Sequence, residues 1–271
     1  MDEVVMLLGQ KPRELLEYIL ARGIILKLCC TEQGRWRSVK ARVIKLCPES
    51  FVVELTRRSE AHPIALTGDQ LVGVSFEDRQ AGGQDRFVFG TNVLSVKFGD
   101  DGISGQDITL AVPEEIEIVR KKNYLRTSVP VSMEIDVQLW HRSTPMPQAG
   151  PAAAQVCHGF TARLVNLAAD GLAVLVSAEQ GPDFSNGQYV GLRFTPAANE
   201  TPLSFNAYVR GVSPAWDGRD IVVELEMVGL EASPEGRMVL RRLCSVVGMY
   251  RQMLQTAPGL QEQAVWHEAT T

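Results

Sequence analysis

The sequence predicts a mainly β protein of two small antiparallel β-barrel domains, the second six-stranded and followed by a C-terminal helix. Short runs rich in valine, isoleucine and leucine recur along the chain with turn residues between them. Apolar and polar residues alternate within many of these runs, which is typical of strands with one buried face. Near the end of the chain, a serine, a proline and a glutamate precede an apolar stripe at helical spacing.

The N-terminal domain is predicted to span residues 1–115 and to begin with a helix over the first two dozen residues. Leu15, Leu16 and Ile19 recur at helical spacing, and Gly23 is the expected C-terminal stop. The period then changes to two, which predicts five or six strands and a small barrel or sandwich. These strands are expected at 24–30, 37–46, 51–55, 71–76, 86–98 and 107–112.

A charged segment, predicted to be a basic arm over residues 116–128, links the two domains. It carries four cationic side chains within seven residues, Arg120, Lys121, Lys122 and Arg126. One interpretation is a solvated linker. The other is an anion clamp, because guanidinium groups bind phosphate bidentately and stack on aromatic rings. Residues four apart in an extended segment project to the same side, which puts two of these side chains in one row.

The second barrel is predicted over residues 129–254 and opens with the most regular alternation in the sequence. Apolar residues occupy every second position from Val129 to Leu139, which predicts a strand with one buried face. Residues 141–155, rich in Pro, Ala and Ser, are predicted to form an exposed loop. Further strands are expected at 160–164, 172–177, 189–194, 203–212 and 220–228, and about six antiparallel strands imply a closed barrel.

A C-terminal helix is predicted to start at Ser233-Pro234-Glu235. This combines a hydroxyl cap, a proline in the first turn and an acid at the positive end of the helix dipole. The helix carries an apolar stripe at Val239, Leu243, Val246, Val247, Tyr250 and Leu254. Residues 255–271 are predicted to be a flexible tail.

Composition and charge favour a cytoplasmic binding protein over an enzyme. The formal net charge of −5 argues against a general nucleic-acid binder. The N-terminus is acidic and no apolar run approaches a membrane span, so neither secretion nor membrane insertion is predicted. The five cysteines are odd in number and irregularly spaced, which favours reduced thiols. Scattered histidines and the lack of a phosphate-binding loop, nucleophile elbow or zinc-protease motif predict neither catalysis nor a bound metal.

The segment from Asn166 to Gly171 is predicted to be a turn between two strands. By itself, Asp170 followed by Gly171 is an ordinary turn signal, with the glycine supplying a backbone shape that a Cβ would oppose. A functional interpretation is also available, because the amide of Asn166 offers a donor and an acceptor that could bind a base edge.

Taken in order, the basic segment, the alternating strand, the Asn-x-x-x-x-Gly turn, the further strands and the C-terminal helix resemble the PilZ domain, a bacterial receptor module for cyclic di-GMP. The family pattern is Arg-x-x-x-Arg on the arm, followed by Asp/Asn-x-Ser-x-x-Gly on the barrel. Residues 122–126 resemble the first motif and residues 166–171 the second. The N-terminal β-rich domain resembles the PilZN-like domain of the flagellar-brake branch. The resemblance is strong over 118–253 and looser over 1–115.

This resemblance implies that cyclic di-GMP is the ligand and that it is clamped between the basic arm and the barrel turn. In the family, the arm arginines hold phosphates and stack on guanine, and the Asp or Asn binds the guanine edge. The implied output is regulation of motility or surface attachment through a protein partner, such as the flagellar motor or surface machinery. The implied ligand-binding residues are Arg120, Lys121, Lys122, Arg126, Asn166, Ala168 and Gly171.

Two positions depart from the family pattern: Lys122 replaces the first arginine and Ala168 replaces the serine. Lysine loses the planar fork, and alanine lacks a hydroxyl worth about 0.5–1.5 kcal/mol. Together these changes are expected to weaken binding by roughly two to three decades. The alternative hypothesis is therefore a degenerate PilZ protein that does not bind cyclic di-GMP and acts as a constitutive protein–protein interaction module. An enzyme of unknown chemistry is a third, less favoured hypothesis.

Overall fold

The computed structural model describes residues 5–32, 34–56, 64–77, 85–98, 106–120, 124–141, 159–198, 200–216 and 218–256. Within these ranges the chain forms fifteen strands and two α-helices, which confirms the predicted mainly β fold. The chain divides into two compact units. The first unit comprises residues 3–122 and 229–241, and the second comprises residues 1–2, 123–228 and 242–271.

The first unit contains eight strands and one complete helix in its described part. The helix is α1 (Lys11–Arg22), and the strands are β1 (Val5–Leu8), β2 (Ile25–Glu32), β3 (Arg35–Leu46), β4 (Ser50–Leu55), β5 (Leu71–Glu77), β6 (Arg86–Phe98), β7 (Gln106–Ala111) and β8 (Glu115–Val119). Six of these strands close an antiparallel barrel in the order β6-β5-β2-β3-β4-β7, because β7 also pairs with β6. β8 extends the sheet from β6, and β1 pairs with β8.

The N-terminal helix is present but starts later than the sequence analysis predicts. Residues 5–8 form β1, and Gly9, with a φ of 67°, separates that strand from α1. This part of the prediction is wrong because the partner of β1 is β8, more than a hundred residues away and invisible to local periodicity. The predicted end of the helix is confirmed: Gly23 adopts the left-handed conformation, with a φ of 61°. Leu16 and Ile19 are fully buried in the barrel core.

β8 occupies residues that the sequence analysis assigns largely to the arm. Ile116 and Val119 of this strand are buried, as core residues of a sheet should be. Glu117 is also fully buried, and two arginines of the first unit neutralise it. Arg237 Nε donates to Glu117 Oε1 at 2.9 Å, and Arg241 Nη2 donates to the same oxygen at 2.6 Å. The charges of this segment therefore include one that belongs to the interior of the first unit.

The second unit contains seven strands in its described part. They are β9 (Thr127–Ser128), β10 (Asp136–His141), β11 (Gly159–Leu167), β12 (Gly171–Ser177), β13 (Tyr189–Phe194), β14 (Leu203–Pro214) and β15 (Asp220–Val228). Six of them close an antiparallel barrel in the order β10-β13-β14-β15-β12-β11, because β10 also pairs with β11. β9 pairs with β11 outside this closed set. The predicted six-stranded second barrel is thus confirmed.

The predicted alternation at the start of the second barrel holds for only half of its length. Ile135, Val137 and Leu139 are buried, but Val131 is 59% exposed. The strand starts at Asp136 because the backbone turns before it: the N–H of Met133 donates to the carbonyl of Pro130 at 2.8 Å. A proline cannot donate to a strand ladder, which favours a turn at this point over an extension of the strand.

The C-terminal helix α2 (Pro234–Thr256) starts where the sequence predicts. Ser233 Oγ accepts a hydrogen bond from the N–H of Gly236 at 3.1 Å, which is the expected cap. The pKa of Glu235 is lowered by hydrogen bonds from its own backbone N–H and from the Ser233 side chain. On the apolar stripe, Leu243 and Tyr250 are fully buried. Neither described helix is long and apolar enough to cross a membrane.

Candidate ligand site

The end of the basic arm lies beside the strand that leads into the predicted ligand turn. Arg126 immediately precedes β9, and the two residues of β9 pair with the last two residues of β11. Ser128 is opposite Asn166, and the N–H of Val129 donates to the carbonyl of Val165 at 3.0 Å. The last residue of the first motif, Arg126, therefore lies beside the strand that leads into the second motif, although Arg126 and Asn166 are forty residues apart in sequence.

An arginine of α2 holds the arm end in this position. Arg251 Nε donates to the Thr127 hydroxyl at 3.0 Å, and its Nη2 donates to the carbonyl of Leu125 at 2.9 Å. Both contacts lie within the second unit, and Thr127 is itself buried. The helix thus contributes to the candidate site by ordering the chain next to Arg126, which the sequence analysis did not predict.

The predicted turn between β11 and β12 is present. The N–H of Ala168 donates to the carbonyl of Gly171 at 2.8 Å, and the N–H of Met227 donates to the carbonyl of Asp170 at 2.8 Å. Ala168 is only 1% exposed. A ligand can therefore reach its methyl group only if the turn rearranges.

Gly171 is required by a close approach of two backbones. A Cβ at this position would lie 2.7 Å from the carbonyl oxygen of Leu225 on the neighbouring strand β15. The left-handed φ values in the described chain do not include this residue. The sequence analysis attributes the glycine to an unusual backbone shape; the structure instead shows that the space beside β15 excludes a side chain.

Asn166 lies on the face of the second barrel that points away from the interior. Its neighbours across the sheet are Ser128 on β9 and Ala173 on β12, and Ala173 in turn is opposite Glu224 on β15. Directly paired residues share a face, so these four side chains form one row, here called the Asn166 row. The Oδ1 atom of Asn166 is buried, and it has no hydrogen-bond partner among the described residues.

Two carboxylates of β15 stand on the same face, and each pairs with an arginine. Arg126 Nη1 donates to Glu224 Oε1 at 2.8 Å. Arg210 Nε donates to Glu226 Oε2 at 2.5 Å, and its guanidinium lies 5.4 Å from the ring centroid of Tyr208. The sequence analysis did not include these carboxylates in the site, although they occupy the polar positions between the apolar residues of β15.

The remaining predicted site residues come from the N-terminal part of the arm. Arg120 is exposed and belongs to the first unit, where its Nη1 donates to Asp85 Oδ2 at 2.7 Å. Lys121 and Lys122 lie outside the described residues. The structure therefore brings together Arg126, Asn166 and the 168–171 turn within the second unit.

The described part of the chain contains no group of three or more histidine, cysteine, aspartate or glutamate side chains that could hold a metal ion. The chemistry that the site offers is instead charge and hydrogen bonding. The Arg126 guanidinium pairs with Glu224 on β15, and the Asn166 amide, whose Oδ1 no described residue uses, lies on the same face two strands away. Such groups can bind a polar anion with a heterocyclic base.

No protein-family model matches the chain, and the comparison with curated proteins gives no match. Solved structures do match. The apo form of K. pneumonia MrkH is 8% identical with a TM-score of 0.50, and the alignment covers 92% of this chain and 99% of that one. A second MrkH crystal form is 9% identical with a TM-score of 0.50, covering 95% and 97%. YcgR from Escherichia coli in complex with c-di-GMP is 14% identical with a TM-score of 0.33, covering 93% and 96%. At such low identities the similarity concerns the fold alone: this chain shares the overall fold of MrkH.

Proposed function

We propose that the protein is a cyclic di-GMP-responsive adaptor whose ligand binds between the arm end and the 166–171 turn of the second barrel. The observation that carries the proposal is the pairing of β9 with β11. It places Arg126 next to the turn within one unit, as a clamp of this kind requires. Arg120, Lys121 and Lys122 are further proposed ligand residues on the basis of the family resemblance.

The polar groups at this place suit a ligand with phosphates and purine bases. Arg126 is about half exposed and can present its planar fork to a phosphate. Asn166 supplies an acceptor that no described residue uses. A buried acceptor without a donor costs about 1–3 kcal/mol, so a rearrangement that offers it a guanine N–H is favourable. The arginine thus suits the phosphates of the nucleotide, and the amide acceptor suits its base.

The fold comparison is consistent with this ligand. MrkH, which shares the fold, has also been solved as a c-di-GMP complex and is described as a c-di-GMP-dependent transcription regulatory factor. For this chain, the net charge of −5 favours a protein partner over a nucleic acid. We propose motility or surface-attachment machinery as the target, as the family resemblance implies. The arm is also the covalent link to the N-terminal barrel, so a ligand that fixes the arm changes what that barrel can contact.

The test is calorimetric titration of the full chain with cyclic di-GMP. Wild type should give saturable heat. Arg126→Ala should weaken binding by about tenfold or more, since a bidentate charged contact is lost. Arg193→Ala is the matched control: this arginine is exposed on β13, away from the arm and turn in sequence, and its loss should leave binding unchanged.

No heat at high micromolar ligand would overturn the sensor proposal. The second candidate, a constitutive protein–protein interaction module, would then be favoured, because Lys122 and Ala168 depart from the family motif and Arg126 already has an anionic partner in Glu224. Equal loss of binding in Arg126→Ala and Arg193→Ala would show that general charge, rather than this site, determines affinity.

A further inference from the structure

Glu224 forms an ion pair with Arg126, whose guanidinium the proposed site needs for binding phosphate. Arg126 Nη1 lies 2.8 Å from Glu224 Oε1, and the two side chains are 46% and 42% exposed. The second oxygen, Oε2, extends over Gly211 and lies 3.4 Å from the place that a Cβ of that residue would take. The absence of a side chain at position 211 thus leaves room for the carboxylate.

The Asn166 row places this carboxylate inside the candidate site. Asn166 and Glu224 lie on the same face, with one strand, β12, between theirs. Two strand spacings amount to about 10 Å, which is within the reach of a single nucleotide ligand that contacts both. A ligand that contacts Asn166 and Arg126 together must therefore approach Glu224 as well.

The charges of two ion pairs on β15 balance without a ligand. Arg126 pairs with Glu224, and Arg210 pairs with Glu226 two residues further along the same strand. These four side chains carry no net charge, so a ligand with two phosphates gains little attraction from them while both pairs are intact. Displacing one carboxylate from its arginine frees a full positive charge for the ligand.

The pair is weak enough for a phosphate to displace. Both partners are close to half exposed, and exposed ion pairs change an equilibrium by only about 1.5- to 5-fold. A guanidinium–phosphate contact can be bidentate and charge-assisted, whereas the contact to Glu224 in the structure uses one nitrogen at 2.8 Å.

We propose that Glu224 is an internal competitor of the anionic ligand, which holds Arg126 until phosphate displaces it and so raises the ligand concentration needed to occupy the site. This inference rests on the proposed function, since it concerns the regulation of the same site. Glu224 is an affinity-determining residue that contacts Arg126.

The test is titration of full-length wild type and Glu224→Gln with cyclic di-GMP. The variant keeps the shape of the side chain but removes its charge, and it should bind about 2- to 5-fold more tightly. Glu54→Gln is the matched control. Glu54 pairs with Arg42 at 3.2 Å on the first barrel, with exposures of 40% and 53% for the glutamate and the arginine, and it makes the same change in net charge. Glu54→Gln should leave the affinity for cyclic di-GMP within about 1.5-fold of the wild-type value.

The outcomes separate the two proposals. If wild type binds and Glu224→Gln binds equally or more weakly, the competitor role is overturned while the sensor stands; weaker binding would make Glu224 a ligand contact instead. If Glu54→Gln gains as much affinity as Glu224→Gln, the effect is general charge and the competitor role is also overturned. If only Glu224→Gln binds, the competitor role is supported, but the wild-type protein is not a sensor at these ligand concentrations. If neither wild type nor Glu224→Gln binds, both fall.

Discussion

Ser128 at the end of the arm lies directly opposite Asn166 on β11. This ladder position lies two residues after the first motif and places that part of the chain beside the second motif. It fixes the register of the arm end, because a shift by one residue would turn Ser128 to the other face. The position of Arg126 relative to the turn is thus set by backbone hydrogen bonds and does not depend on its own side-chain contacts.

Restoring the family residues should increase affinity for cyclic di-GMP. Ala168→Ser adds a hydroxyl and should strengthen binding by about 2- to 10-fold, and Lys122→Arg adds a planar fork. Titration of both single variants and the double variant checks this. Because Ala168 is buried, thermal unfolding must show that the hydroxyl is tolerated. Equal or weaker binding by a stably folded double variant would contradict the placement of the ligand at this turn.

Gly171→Ala should destabilise the second barrel. The added Cβ would lie 2.7 Å from the carbonyl oxygen of Leu225, and that contact is with backbone, so β12 and β15 must separate. We expect a loss of about 1–3 kcal/mol in the free energy of unfolding, measured by chemical denaturation. The control is Gly68→Ala, since nothing lies within 4 Å of a Cβ there; its stability should be unchanged or slightly raised. Similar losses in both variants would argue against the close approach.

Removing the carboxylate of Glu117 should destabilise the first unit strongly. Arg237 is 9% exposed on its side chain and would be left with its longer contact to Glu115, at 3.4 Å, whereas Arg241, at 42%, can turn to water. Glu117→Ala should cost roughly 3–5 kcal/mol in chemical denaturation.

The control for this prediction is Glu17→Ala, which breaks an exposed pair with Arg13 in the same unit and should cost at most about 0.5 kcal/mol. If Glu117→Ala does not fold, Glu117→Gln serves instead, because it keeps one acceptor for Arg237. A loss below about 1 kcal/mol in either Glu117 variant would mean that the buried pair contributes little to stability.

Loss of the α2 cap should lower stability in a pH-dependent way. Ser233→Ala removes the acceptor of the Gly236 N–H and should cost about 1 kcal/mol at neutral pH. Because the pKa of Glu235 is lowered in the folded chain, its contribution is present above its unfolded pKa of about 4.3 and is lost as the pH falls through the folded value.

The Ser233 side chain is one of the groups that lower this pKa. The difference in stability between wild type and Ser233→Ala should therefore be larger at pH 7 than at pH 3. Denaturation curves over that pH range check the prediction. A difference that grows toward acid pH would have the wrong sign for this mechanism.

Local periodicity predicts the strands of this fold well wherever one face is buried. On β15, Val223, Leu225 and Met227 face the core as predicted, and Glu224 and Glu226 between them face outward. Periodicity fails where a turn interrupts an alternating run, as at Pro130, since the pattern of apolar residues carries no information about backbone direction. The helix start at Ser233 was predictable because its cap is made by neighbouring residues.

The ligand-binding role of the motif residues stays a prediction, and their surroundings could not be predicted from the sequence. Asn166 and Arg126 come from the resemblance to a family pattern. The partner of Arg126 is 98 residues away on Glu224, and the partner of Glu117 is 120 residues away on Arg237. Such pairings follow from strand order, and no feature of a single sequence specifies which glutamate will meet which arginine.

The hydrogen bonds from Arg251 to Thr127 and Leu125 hold the segment that carries Arg126 against the last turns of α2. A protein shortened before that arginine would keep all six strands of the second barrel, yet the arm end would lose its tie and sample many more conformations. Ligand binding at the proposed site would then cost more conformational entropy, although the residues of that site are unchanged. Proteolysis near the C-terminus is thus expected to weaken the proposed site without altering any of its proposed ligand residues.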